Sequence, residues 1–301
     1  MKKKAIIISI KGYYLSFNEK KLLSKGKPWG LILFSRNIRS LEQIKKLIKN
    51  IRKLTKDPNF PILIDEEGAD VSRLSKIINH NFSQKSLGDI YKINNKIGLY
   101  FYRDYINNLT AFLKKVGINI NTVPVLDVIR KNTNKIIGNR SFSEDPAVVK
   151  ILGKICVKQY ELNKLATVIK HLPGHGCASS DSHLKMPKVK LNYKDLNEVD
   201  FLPFKSNPSQ FAMTAHILYE KIDKNNVATF SKKIISQIIR KKIGFKGILI
   251  SDDISMKALK YDLVTNAKRS LLAGCNIVLY CAGNYKDSYK LLKEVPFIDK
   301  F

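Results

Sequence analysis

Three of the chain's five histidines fall in one eighteen-residue stretch, Lys170 to Pro187, reading K-H-L-P-G-H-G-C-A-S-S-D-S-H-L-K-M-P. Asp181 stands two residues before the last of them, His183, and Pro173 and Gly174 break any helix between. An imidazole exchanges a proton near neutrality, and a carboxylate beside it orients the ring and stabilises its charged form. An apolar run, Leu165 to Ile169, leads into the stretch. A buried strand ending in a loop of Lys, His and Asp is how a barrel enzyme presents catalytic groups.

The other apolar runs end in the same way. The third ends in Asp65, Glu66 and Glu67, the fourth in Asp127, the sixth in His216 and the seventh in Asp252 and Asp253. All the histidines except His80 sit on or just after such an end. Three chemistries use groups of this kind. A metal site is disfavoured, because Pro173 and Gly174 deny His171 and His175 the helix of a zincin pair and the Glu of H-E-x-x-H is missing. A serine nucleophile is disfavoured by the lack of a G-x-S-x-G elbow. Acid/base chemistry with a carboxylate fits. Asp252 serves as nucleophile toward an electropositive carbon, His183 donates and accepts the proton, and Asp181 orients His183. Asp65, Arg73, Arg140, Lys170 and His171 supply hydrogen bonds suited to hydroxyls and an amide. No metal or organic cofactor is expected.

Those groups need a scaffold that gathers strand ends. Eight apolar runs serve: Ala5–Ile10, Leu31–Phe34, Pro61–Ile64, Ile118–Leu126, Ala166–His171, Phe211–His216, Gly247–Ser251 and Asn276–Cys281. They are continuous rather than alternating, as strands covered on both faces must be. Helical patterns separate most of them. Leu41, Ile44, Leu47, Ile48, Ile51 and Leu54 share one face, with Ser40 and Gln43 as a capping box. Asp145 and Pro146 begin a helix running to about Leu162, Ser231 caps Lys232–Lys242, and Gly244 and Gly274 end helices. The expected fold is α/β, a (β/α)8 TIM-type barrel over residues 1–301 as a single domain. A long insert, 66–117, separates the third and fourth strands and carries a helix near Ile97–Val116.

The net charge is +29, from 54 Lys and Arg against 25 Asp and Glu. The lysines lie along the whole chain between apolar residues, as on the solvent faces of amphipathic helices. That argues for a compositional bias and against a specific nucleic-acid partner. The first residues, Met1 to Lys11, imitate a signal peptide, but the apolar run of about six residues is below the usual ~7–15. It is read as the first strand. No segment is long enough to span a membrane. Cys156, Cys177, Cys275 and Cys281 lack metal-ligand spacing and suggest free thiols in a reducing compartment, hence the cytoplasm. A monomer is expected.

At these residues the chain resembles glycoside hydrolase family 3, in particular the single-domain β-N-acetylglucosaminidases of cell-wall recycling. Their hallmark is similar to K-H-F-P-G-H-G followed by D-S-H and Pro, with Leu172 here in place of Phe. Gly30–Asn37, Pro124–Asp127, Gly138–Phe142, Met213–His216, Ala228–Ser231 and Ser251–Met256 resemble further family segments. The resemblance implies that Asp252 forms a covalent glycosyl-enzyme and that His183, paired with Asp181, is general acid and then base. It implies that Asp65, Arg73, Arg140, Lys170 and His171 hold the sugar. The implied substrate is a GlcNAc-containing oligosaccharide or muropeptide of the GlcNAc–1,6-anhydro-MurNAc type, cleaved with retention. The third-strand segment departs from the family's D-Q-E-G-G-R-V-x-R: Ala69 replaces Gly and Asp70 replaces Arg, which bears on the edge of the sugar pocket. Asn276 stands where Asp is common. Two other readings stay open on the sequence: a catalytically impaired, basic sugar- or nucleic-acid-binding barrel, and a β-glucosidase or phosphorylase of the same family.

Overall fold

Apolar runs without polar alternation need cover on both faces, and a closed parallel sheet ringed by helices supplies it. The computed structural model describes residues 2–180 and 186–298. In chain order the strands are β1 (Lys4–Ile8), β2 (Pro28–Leu33), β3 (Ile62–Ile64), β4 (Ile120–Asn121), β5 (Ala166–Leu172), β6 (Lys188–Val189), β7 (Phe211–Thr214), β8 (Leu218–Tyr219), β9 (Ile248–Asp253) and β10 (Ile277–Leu279). The helices are α1 (Phe17–Gly26), α2 (Leu41–Thr55), α3 (Gln84–Ile93), α4 (Asn95–Val116), α5 (Pro146–Leu162), α6 (Tyr193–Glu198), α7 (Leu263–Ala273) and α8 (Tyr285–Glu294), with a π-type helix at Ile234–Ile243. Eight strands close into a parallel barrel in the order β1, β2, β3, β4, β5, β7, β9, β10 and back to β1, while β6 and β8 pair separately. This is the TIM-type barrel expected from the eight runs.

Alternation of side chains along each strand divides the core into two layers. Ile7, Ile32, Leu63, Ile120, Val168, Met213, Ile250 and Ile277 fill the barrel interior. Ile6, Ile8, Leu31, Leu33, Ile62, Ile64, Ile169 and Leu249 face outward and meet the helices. Local signals work as the residue chemistry predicts. The Asp145 carboxylate accepts from the Ala147 N–H at the start of α5. Gly244 and Gly274 end helices at φ +81° and +119°.

Two expectations are modified. Ser40 caps α2, but the Gln43 side chain accepts from Arg39 N–H and donates to Tyr13 and Asn37 carbonyls, so the box is only half formed. The fourth run is regular strand only at β4. Pro124 has no N–H to donate, and pairing beyond it continues as Leu126 N–H to Lys170 C=O and Lys170 N–H to Pro124 C=O.

The insert after β3 supplies α3, which lies against the 138–142 segment. Gln84 donates to the carbonyls of Arg140 and Val125 and accepts from Val125 N–H. Gly88 makes this approach possible, since a Cβ there would sit 1.9 Å from the Phe142 carbonyl oxygen. Gly88→Ala should therefore destabilise the fold by at least ~1–3 kcal/mol, read as a lower urea midpoint at constant m-value. An unchanged midpoint would show that α3 does not approach the segment so closely.

Candidate active site

Lys170, near the end of β5, is 2% exposed, and an ammonium so buried needs anions around it. Its Nζ lies 2.6 Å from Glu67 Oε1 and 3.2 Å from Asp65 Oδ1, and donates to Thr122 Oγ1 at 3.0 Å. Each of those carboxylates has a second cation. Arg73 Nη2 lies 3.2 Å from Asp65 Oδ2. Arg140 meets Glu67 bidentately, at 2.7 Å through Nε and 3.0 Å through Nη2. Arg73, Asp65, Lys170, Glu67 and Arg140 thus form one line of alternating charge. Burial alone would raise both carboxyl pKa values. Lys170 and Arg73 instead hold Asp65 well below the usual range, and Arg140 and Lys170 bring Glu67 down to about 2. Burial works against the Arg140 charge, but Glu67 raises its pKa beyond the ordinary value.

A second carboxylate network shapes the loop after β5. Asp127 is fully buried. Its Oδ1 accepts the backbone N–H groups of His175 at 2.6 Å and His171 at 3.3 Å, and its Oδ2 lies 2.7 Å from His171 Nδ1. Burial raises its pKa, and the two histidines more than offset that. His175 is buried, and desolvation takes its pKa down to about 4 despite the pull of Asp127. Gly176 lies against the Val128 carbonyl, where a Cβ would come within 1.8 Å. Thr133 donates to the Gly176 carbonyl, and Arg130 holds Asp200 beneath Gly174.

Asp252 is the last residue but one of β9, and its Oδ1 accepts the Asp253 N–H at 2.8 Å. Asp253, also on the cavity lining, accepts from Ser255 and Cys281 N–H groups. His216 lies behind this strand end. Its Nε2 is 3.0 Å from the Asp253 carbonyl oxygen and its Nδ1 2.7 Å from Thr229 Oγ1, and burial lowers its pKa.

Asp65, Arg73, Arg140, Lys170, His171 and Asp252 all line one cavity of about 400 Å³ at the carboxyl ends of the strands. Phe34, Met213, Met256 and Leu279 add apolar wall. Asp181 and His183 lie outside the described residues. A larger cavity, about 830 Å³, lies between the β1–α1 and β10–α8 loops, but its one carboxylate, Glu19, is already engaged by Ser16 and Lys11 N–H. Ala69 and Asp70 are exposed and do not line the 400 Å³ cavity; Asp70 lies 3.5 Å from Asn139 Nδ2. Asn276 accepts from Leu249 N–H and Arg240, work that its amide oxygen does as well as a carboxylate.

Glu67 and Asp127 stand out in the sequence only as strand-end acids, with no role in the site assigned to them. The signal for Glu67 was arithmetic: Lys170 and Arg140, once buried, demand an anion besides Asp65. For Asp127 it was the strand-end position next to a histidine-rich loop.

Residues 7–297 match the glycosyl hydrolase family 3 N terminal domain. The chain is 33% identical over 281 residues to a beta-hexosaminidase of Nitrosomonas eutropha, covering 92% of this chain and 80% of that one. It superposes on NagZ from Neisseria gonorrhoeae, solved in complex with N-trifluoroacetyl-D-glucosamine, with a TM-score of 0.89 and 30% identity over 100% of this chain and 87% of that one. A family 3 beta-N-acetylglucosaminidase from Paenibacillus gives a TM-score of 0.86 at 26% identity, and this chain, matched over 96% of its length, spans 56% of it.

The depressed pKa of Glu67 makes an acid-stability prediction. Its stabilisation is complete above the unfolded value of about 4.3 and is lost as pH falls toward about 2. Glu67→Gln should lower the urea midpoint at pH 7 and flatten the decline between those limits. A variant declining as steeply as the parent would show that Glu67 is not held ionised by Arg140 and Lys170.

Proposed function

The chain belongs to glycosyl hydrolase family 3, as a glycoside hydrolase of the β-N-acetylhexosaminidase type, and from that premise we propose that it is a retaining exo-β-N-acetylglucosaminidase. Its substrates are GlcNAc-containing peptidoglycan fragments, the GlcNAc–1,6-anhydro-MurNAc muropeptides, in the cytoplasm. The observation that carries this reading is the convergence of Asp252 with Asp65, Arg73, Arg140, Lys170 and His171 on one cavity.

In this scheme the terminal sugar sits against Asp65, Arg73, Arg140, Lys170 and His171, whose polar groups bond its hydroxyls and amide. Asp252 attacks the anomeric carbon as the bond to the leaving oxygen breaks, and His183 delivers the proton to that oxygen. His183 then takes a proton from water, which displaces Asp252 and releases the sugar with retained configuration. Asp181 orients His183 throughout. Two neighbouring histidines support this division of labour, since burial leaves His175, at about 4, and His216 neutral near pH 7.

Asp252→Ala should lower kcat on an aryl β-N-acetylglucosaminide roughly 10³-fold or more. His183→Ala should lower it by about 10²–10⁴. Near-parental turnover by Asp252→Ala would sink the mechanism. Parallel assays on the aryl β-glucoside, with and without phosphate, and on anhydro-muropeptides with GlcNAc release read by mass spectrometry, test the substrate. Preference for the glucoside, or a glycosyl phosphate product, would overturn it.

A further inference from the structure

We propose that a buried chain of Glu66, His80 and Tyr105, outside the cavity, positions Arg73 within it and so sets the enzyme's affinity for the sugar. The inference rests on the reading of Arg73 as a sugar ligand and extends it to residues that never touch the substrate.

Three acids follow β3, and their side chains divide between two sides. Asp65 and Glu67 line the cavity, while Glu66 between them is fully buried. Asn121 on β4 fixes the Glu66 backbone from both sides, accepting its N–H at 3.0 Å and donating to its carbonyl at 2.9 Å. The side chain then gathers the loop that returns toward the cavity. Oε2 accepts the backbone N–H groups of Arg73 and Leu74, both at 2.9 Å. Oε1 lies 2.7 Å from Nε2 of His80, whose Nδ1 lies 3.0 Å from the Tyr105 hydroxyl on α4. A buried carboxylate persists only where donors compensate its lost hydration; the Arg73 and Leu74 N–H groups do so at Oε2, while the His80 ring packs against Oε1.

The Arg73 end of the Asp65–Arg73 pair depends on this arrangement. Asp65 is the residue before Glu66, and Arg73 hangs from the Glu66 carboxylate by its own N–H. The Arg73 side chain is 31% exposed, and besides Asp65 it has only the face of Phe34, 5.3 Å from its guanidinium carbon, among its described contacts. A long side chain with so few anchors is placed by its backbone, and pre-set placement is what turns a guanidinium into binding energy. His80, the one histidine away from the strand ends in sequence, finds its place here, tying the loop to α4.

The experiment is a double-variant cycle on aryl β-N-acetylglucosaminide hydrolysis. Arg73→Ala should raise KM roughly tenfold to a hundredfold, the loss of a charged hydrogen bond, with kcat little changed. Glu66→Ala should raise KM in the same range, and the double variant should be no worse than Arg73→Ala alone. Glu66→Gln, whose amide oxygen still accepts both N–H groups, should restore KM most of the way. His80→Ala should give a smaller rise that also vanishes in the Arg73→Ala background, and this cycle carries the test if Glu66→Ala does not fold. Losses that multiply, or an unchanged KM in folded Glu66→Ala, overturn the positioning role. An unchanged KM in Arg73→Ala overturns the sugar-ligand reading itself.

Discussion

Burying the ammonium of Lys170 sets the terms for the strand ends around it. An ion taken from water loses several kcal/mol that only close opposite charge restores. Asp65 and Glu67 restore it, but two carboxylates around one ammonium leave an anion in excess, and that excess draws in Arg73 and Arg140. Each cation must then be delivered by its own segment: Arg73 by the loop after β3, Arg140 by the turn that α3 holds. The cavity's polar wall is therefore one electrostatic object assembled from three strand ends. Replacing Lys170 removes the ion that Asp65 and Glu67 share, and replacing Asp65 or Glu67 takes the paired carboxylate from Arg73 or Arg140.

A second tier of carboxylates fixes the backbone rather than the charge. Asp127 takes two N–H groups from the loop after β5, Glu66 takes two from the loop after β3, and Asp253 takes one each from Ser255 and Cys281. None of the three needs to touch a substrate to matter. In a chain with 25 acids against 54 bases, that concentration of acids beneath and around one cavity is where the sequence spends its scarce anions. The basic surplus lies elsewhere, on solvent faces such as Lys45, Lys46, Lys49 and Lys53 of α2.

The strands were legible because each is short, continuous and bounded by turn residues, and because strand-end position carries chemistry in a barrel. That reasoning placed Asp65, Lys170, His171 and Asp252 on one rim. Arg73 and Arg140 do not sit at strand ends; they entered as hydrogen-bonding groups suited to hydroxyls and an amide, and the family resemblance implied the same role. What stayed hidden depends on pairing across distant segments. Glu66 and Glu67 look alike in sequence, yet one faces the cavity and the other the α4 side. Only the closed barrel decides which. His80 looked idle because its partner is fourteen residues upstream and the third member, Tyr105, lies farther along the chain on α4. Asp127 gave a position but no role, since its bonds go to backbone N–H groups that no side-chain pattern reports.

The histidine-rich stretch resolves on the same physical ground. Desolvation is a stronger influence on His175 than the carboxylate beside it, so the central histidine of the motif is a neutral ring at neutral pH. His171, by contrast, is bonded through Nδ1 to Asp127 and lines the cavity. One carboxylate thus orients the ring of the first histidine and holds the backbone of both. The histidine cluster is built, in its described part, as a scaffold and a hydrogen-bonding wall.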